Sequence, residues 1–221
     1  MVDIQSYMEK LLKKLKMVFN TRLLYVGLQG SYYRGEETPD SDMDIMVILD
    51  VLTVEDMKRY RDIVEQLPEP EHSCGFICGK EDLLHWNRGE ICQLIYGTMD
   101  YYGRLREFVP SFSEEDIRNH IRVSVDNLYH EICHRLIHGS KEKNRNNLVF
   151  SYKTVFYILQ NVYYLKTGIF SRTKKELIRH LEEKDKQVME WAERVKIDPE
   201  YSFSEAYQIL FSWCQKLLTD Y

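Results

Sequence analysis

Gly30 and Ser31, ten further residues, then Asp42, Met43 and Asp44 running straight into the apolar stretch Ile45 to Leu49 are the residues whose types and spacing could do chemistry. Gly30 lets backbone approach a phosphate with no Cβ in the way, and Ser31 offers both a hydroxyl and an N–H to phosphate oxygens. Asp42 and Asp44, two apart on a strand, would project from one face with Cα atoms about 6.5 to 7 Å apart. Two carboxylates at that spacing can share one or two magnesium ions, which would bridge triphosphate oxygens and neutralise charge on a leaving pyrophosphate. The competing reading is a polar turn followed by an acid-tipped edge strand. A carboxylate pair leading directly into a buried run is costly unless it binds something, which favours the metal.

The elements that must position these residues are legible around them. Met8, Leu11, Leu12, Leu15 and Phe19 recur at helical spacing, Arg22 to Leu28 reads as a strand, and Met43 to Leu49 as a second, β-branched one. Thr53 can cap a helix that Pro68 and Pro70 stop near Leu67. Further strands are expected at Cys74 to Cys78 and around Ile91 to Tyr102, with Asp82 to Trp86 helical or turning between them. From Pro110 the texture turns helical. Ser113 caps a long helix whose stripe is Ile117, Ile121, Val125, Leu128, Ile132 and Leu136, with Gly139 as its stop. Helices follow over about Leu148 to Lys166, near Thr173, near Asp185 and near Ser202, where Ser202 and Glu205 fit a capping box. Ser140 to Asn147 is expected to be a loop. The division is into 1–109 and 110–221.

At the glycine-serine and aspartate pair the sequence resembles the nucleotidyltransferase superfamily that shares the DNA polymerase beta palm, whose signature is Gly-Ser, a spacer of about this length and Asp-x-Asp entering a strand. The resemblance implies an α+β fold, a mixed sheet with helices followed here by an antiparallel helical bundle. It implies two magnesium ions and transfer of a nucleoside monophosphate from a nucleoside triphosphate, with release of pyrophosphate. Carried over, Gly30 and Ser31 bind the nucleotide and Asp42 and Asp44 are catalytic metal ligands. Many members add a third carboxylate on a later strand; here that strand, Cys74 to Cys78, has none, and Glu71, Glu81, Asp82, Glu90 and Asp100 only lie near it in sequence.

The helical half looks like the C-terminal domain of the aminoglycoside nucleotidyltransferases, in which a helix supplies the acidic base and a Lys after a Thr-Gly contacts the nucleotide. That likeness assigns Asp126 as base and Lys174, after Thr167-Gly168, as a phosphate contact. Arg34 could also approach phosphate from the loop after Ser31. The expected reaction is transfer of AMP from ATP to a hydroxyl of a small, aminoglycoside-like acceptor. The alternatives are a protein- or tRNA-modifying enzyme of toxin-antitoxin type and an inactive nucleotide-binding regulatory module.

Other patterns carry less. His130, His134 and His138 fall at i, i+4 and i+8, a spacing that could surround a metal, but a structural role is the stronger reading. His72, Cys74, Cys78 and His85 could be drawn as a metal cluster against their strand context. A hydrophobic content of 44% suffices for a real core, and 30 basic against 35 acidic residues argue against extended nucleic acid as a partner. Five scattered cysteines and no long apolar segment point to a reduced, cytoplasmic protein without a membrane span. Exposed aromatics on the helical half would suit a homodimer.

Overall fold

The computed structural model describes residues 2–221, and the chain divides into two compact units, Met1–Ser111 and Phe112–Tyr221. The first contains α1 (Ile4–Phe19), β1 (Leu23–Leu28), α2 (Gly30–Arg34), β2 (Met43–Leu49), α3 (Val54–Val64), β3 (Ser73–Gly79), α4 (Lys80–Leu84), α5 (Arg88–Tyr96) and β4 (Met99–Tyr102). Its four strands form one mixed sheet in the order β3-β2-β1-β4, with β1 antiparallel to β2 and β4, and β2 parallel to β3.

β2 is an inner strand covered on both faces, which is why its sequence is nearly all apolar. Met43, Ile45, Val47 and Leu49 join a core with the α1 stripe Tyr7, Met8, Leu11, Leu15 and Phe19 and with Ile63 of α3. Met46 and Ile48 point the other way, onto Tyr25, Cys78, Leu83 and Leu105. Each such side chain withdrawn from water contributes about 1.5 to 3 kcal/mol. Asp3 caps α1 by accepting from the Ser6 N–H, so the stripe starts in register with the sheet.

One polar clamp ties the strand ends together. Arg22, just before β1, donates through both terminal nitrogens to Asp56 at 2.9 Å each, through Nε to Asp50 at 3.0 Å, and to the Val51 carbonyl at 2.8 Å. Asp56 also completes a capping box with Thr53 at the start of α3, and its carboxylate is buried.

Two expectations fail in instructive places. Ile91 to Tyr102 is not one strand: Asn87 accepts from the Gly89 N–H and starts α5, and only Met99–Tyr102 pairs with β1. The apolar run Ile91 to Ile95 fits either period, and burial of the neighbours Ile91 and Cys92 inside α5 decides for helix. Ser140 to Asn147 is not a loop either. Ser140 accepts from the Lys143 N–H, and Lys141 to Asn147 are the first turns of a helix. Arg145 in that charged segment donates to the carbonyls of Pro199 and Tyr201, a tertiary anchor no local pattern reveals.

The second unit consists of α6 (Glu114–His138), α7 (Lys141–Thr167), α8 (Lys174–Ile178), α9 (Glu183–Ile197) and α10 (Phe203–Asp220). α6 and α7 are joined through Gly139 and Ser140 and pack together; α7 packs on α9, and α10 on α6 and α9. Ser113 and Asp116 form the expected capping box on α6. The α6 stripe is buried from Ile117 to Ile132, whereas Leu136 is 45% exposed. Ser202 accepts from the Glu205 N–H at the start of α10. No helix among the described residues is long and apolar enough to cross a membrane.

The Asp56 carboxyl is held well below the usual carboxylate range, first by the Arg22 hydrogen bonds. Because the folded value is depressed, its stabilisation is present at neutral pH and is lost as pH falls below about 4, the unfolded value. Asp56→Asn should therefore lower unfolding free energy by about 2 kcal/mol at pH 7, discounted from a fully buried pair because one partner is partly solvated. Urea titrations at pH 7 and pH 3 should show the gap between wild type and variant shrinking at the lower pH.

Candidate active site

The site is built where β1 ends and β2 begins. Leu28 pairs with Ile45, and the next N–H, that of Gln29, donates to the Asp44 carbonyl at 2.7 Å. The turn into α2 therefore starts directly over Asp44. Gln29 is anchored from the side, its amide donating to Thr98 Oγ1 at 2.8 Å. Gly30 then takes φ +67°, and a Cβ there would stand 1.8 Å from Asp44 Oδ2. Only glycine satisfies both the conformation and the space. The first N–H groups of α2 have no acceptor within the helix, which leaves Gly30 and Ser31 backbone available to an anion.

The other wall is β3, which runs parallel to β2 with Cys74 in register with Asp44. Gly75 adopts φ +139°, and a Cβ on it would meet the Ile45 carbonyl oxygen at 2.0 Å, so glycine is what lets β3 lie this close. Cys74 is exposed and hydrogen-bonded to the Asp44 carboxylate. Asp42 lies one residue before β2 rather than on it, in the segment after a turn closed by the Ser41 N–H to the Thr38 carbonyl at 2.9 Å. Its side chain is 58% exposed, with His72 Nδ1 3.8 Å away.

Burial pushes the Asp44 carboxyl up, and the charge of Asp42 adds to the rise, while the Cys74 hydrogen bond and the charge of Arg34 oppose it. Burial also raises the Cys74 thiol, with Asp44 next. Two carboxylates that repel each other, one of them half-buried under a glycine, suit a divalent cation, which would relieve both costs. Among the described residues no three His, Cys, Asp or Glu side chains gather as a closed metal site.

Of the five acids near β3, Glu71 and Glu81 are exposed and the other three are structurally committed. Asp82 accepts from the Gly79 N–H and starts α4, Glu90 accepts from the Trp86 indole at 2.7 Å, and Asp100 accepts from the Tyr25 hydroxyl at 2.7 Å. Arg34 lies on α2 with its Nε 2.9 Å from Glu36. In the second unit Asp126 is exposed on α6, and Lys174 opens α8 with its ammonium 2.6 Å from Glu193. His130, His134 and His138 form an exposed ladder with ring centroids 6.0 and 4.8 Å apart. His85 and Cys78 stand apart from Asp42, His85 bonded to the Glu81 carbonyl and Cys78 buried in the sheet. The roles of Cys74 and Gly75 escape sequence reading, because they depend on the register of a parallel strand some thirty residues away.

Asp44 ionised is a cost in the ligand-free protein, since a carboxyl whose folded value is raised stabilises most below its unfolded value and loses that as pH rises through the folded one. Asp44→Asn should raise the melting temperature of ligand-free protein at pH 7, by calorimetry, and leave it insensitive to magnesium with ATP. Gly30→Ala should cost about 1 to 3 kcal/mol in the same measurement.

A family model described as a nucleotidyltransferase domain matches residues 8–78, from α1 to β3. A search of curated protein sequences finds no match. Among solved structures the chain is similar to spectinomycin adenyltransferase AAD(9) from Enterococcus faecialis, determined with ATP and spectinomycin. The two share 14% identity at a TM-score of 0.63, over 97% of this chain and 99% of that one. Residues 8–78 thus match a nucleotidyltransferase domain over the segment that holds Gly30, Ser31, Asp42 and Asp44, and the chain as a whole shares the fold of that adenyltransferase.

Proposed function

We propose that this enzyme transfers AMP from ATP to a hydroxyl of a small polyhydroxylated acceptor of aminoglycoside type, with Asp42 and Asp44 holding magnesium. The observation that carries the reading is Gly30, at φ +67° and without a Cβ, closing over a half-buried Asp44, which sets the opening backbone N–H groups of α2 beside a carboxylate that gains from a cation. Similarity over both full chains to an enzyme solved with ATP and spectinomycin supports the nucleotide and the acceptor class.

Magnesium when bound supplies charge neutralisation on the triphosphate and the departing pyrophosphate. Gly30 and Ser31 orient the phosphates through backbone N–H groups and the serine hydroxyl, with Arg34 and Lys174 as further contacts. Asp126 accepts the proton of the acceptor hydroxyl. The hydroxyl oxygen bonds to the α-phosphorus as the bond from that phosphorus to the bridging oxygen breaks, and pyrophosphate leaves. Cys74, where a third carboxylate would sit beside Asp44, leaves the sheet without an obvious base, which is why the proton acceptor is assigned to the helical unit.

Pyrophosphate release should be measured with ATP, GTP, CTP and UTP against a panel of aminoglycosides and other polyols. ATP with one acceptor class should turn over, and Asp42→Asn should lower the rate on the order of a hundredfold or more. Asp126→Asn should lower kcat by about 10²- to 10⁴-fold; full activity in that variant would move the base elsewhere. ATP binding without release across the panel would shift the reading to a protein or tRNA acceptor, or to a nucleotide sensor.

A further inference from the structure

His130, His134 and His138 follow one another at intervals of one helical turn along α6, and all three are exposed. Among the described residues no hydrogen bond or ion pair of the fold engages any of the three rings, and their ring contacts are with one another. The structural part that the sequence favours for them therefore has no bond to rest on, and their ring nitrogens remain available to a ligand. Arg135 and Glu131, which alternate with the histidines in the chain, are turned toward α7. Arg135 donates to Glu131 and reaches Ser151 at 3.4 Å and the Asn147 carbonyl at 3.5 Å, and Glu131 also accepts from the Ser151 hydroxyl at 2.9 Å. These two charges neutralise each other. Lys141, Glu142 and Lys143, on the exposed first turn of α7, are screened by water.

Ring spacing separates one pair of histidines from the other. The His134 and His138 centroids are 4.8 Å apart with the rings tilted by 47°, whereas those of His130 and His134 are 6.0 Å apart with the rings within 22° of parallel. A metal about 2.0 to 2.1 Å from one nitrogen of each ring, holding them at about 90° to 110°, sets the centroids roughly 4.5 to 5.2 Å apart. His134 and His138 already have that separation, and His130 stands too far from His134 to share it. The place of the pair on the helix is a second argument. His138 is the last residue of α6, and the Gly139 N–H bonds back to the Arg135 carbonyl, which leaves the carbonyls after it without a donor inside the helix. That end is the negative pole of the helix and favours a cation.

We propose that His134 and His138 form a two-imidazole site for a transition-metal cation of the nickel, copper or zinc kind, with water completing its coordination shell. Nitrogen donors select these ions over magnesium and calcium, so the site differs in kind from the oxygen ligands of Asp42 and Asp44. It lies wholly within the second unit, and a bound ion ties the last turn of α6 to the turn before it.

Nickel chloride titrated by calorimetry into the full chain, in buffer with excess magnesium, tests the proposal. One saturable site is expected, weakened about tenfold or more in His134→Ala and in His138→Ala and within about twofold of wild type in His130→Ala, with circular dichroism checking that each variant folds. Asp44→Asn should bind as wild type does. Unchanged affinity in His134→Ala and His138→Ala, a loss in His130→Ala as large as that in His138→Ala, a loss confined to Asp44→Asn, or no saturable binding would each overturn it.

Discussion

A carboxylate at the mouth of a buried strand is an electrostatic debt that the surrounding structure must accommodate. Asp44 lies between two inner-strand residues, Met43 and Ile45, that are wholly excluded from water. Its alternation on β2 turns it away from the α1 core, toward the face of Met46 and Ile48. Water reaches it incompletely, and Asp42 adds a like charge nearby. Several local features make sense only around that group. The chain over it must be glycine, because any side chain at Gly30 would stand on the carboxylate. The strand beside it must pass so near that Gly75 also goes without a Cβ, and the side chain registered with Asp44 is a thiol that can donate to it. A cation and its phosphate oxygens would complete the coordination that the protein leaves open.

Rigidity in the surrounding frame keeps that arrangement from relaxing. Arg22 binds the residue after β2 and the first turn of α3 at once, so the far ends of β1 and β2 are pinned while their near ends carry the site. The Gln29 to Thr98 hydrogen bond does the corresponding job at the near end. Three of the acids that sequence proximity offers as a third catalytic carboxylate, Asp82, Glu90 and Asp100, are instead occupied in capping α4, holding the Trp86 indole and holding the Tyr25 hydroxyl. A carboxylate already satisfied by a donor in the fold gains little from turning to a metal.

The helical unit solves its polar problems differently. Several of its buried polar groups are paired across the unit, Tyr152 to the Ala206 carbonyl, Gln160 to the Ser171 carbonyl and Trp213 to Asp185, while the Oδ1 atoms of Asn144 and Asn161 are buried without a partner. Such bonds fix helix register without adding apolar area.

The sequence by itself determined the strands around Asp42 and Asp44, the cap of Thr53, the long helices from Ser113 onward and the identity of the motif, because each of these is a local pattern of period, cap or spacing. It misjudged Ile91 to Tyr102 and Ser140 to Asn147, where a short apolar run and a charged run carry no unambiguous period. Tertiary structure alone decided which residue stands beside Asp44, since the pairing of β3 with β2 brings Cys74 there from across a helix. It alone showed Asp42 to be exposed just outside the strand, and Asp82, Glu90 and Asp100 to be spent on the fold. Residue types and spacing encode what a segment can do; parallel pairing and burial, which join segments far apart in the chain, decide which of those capacities are left free.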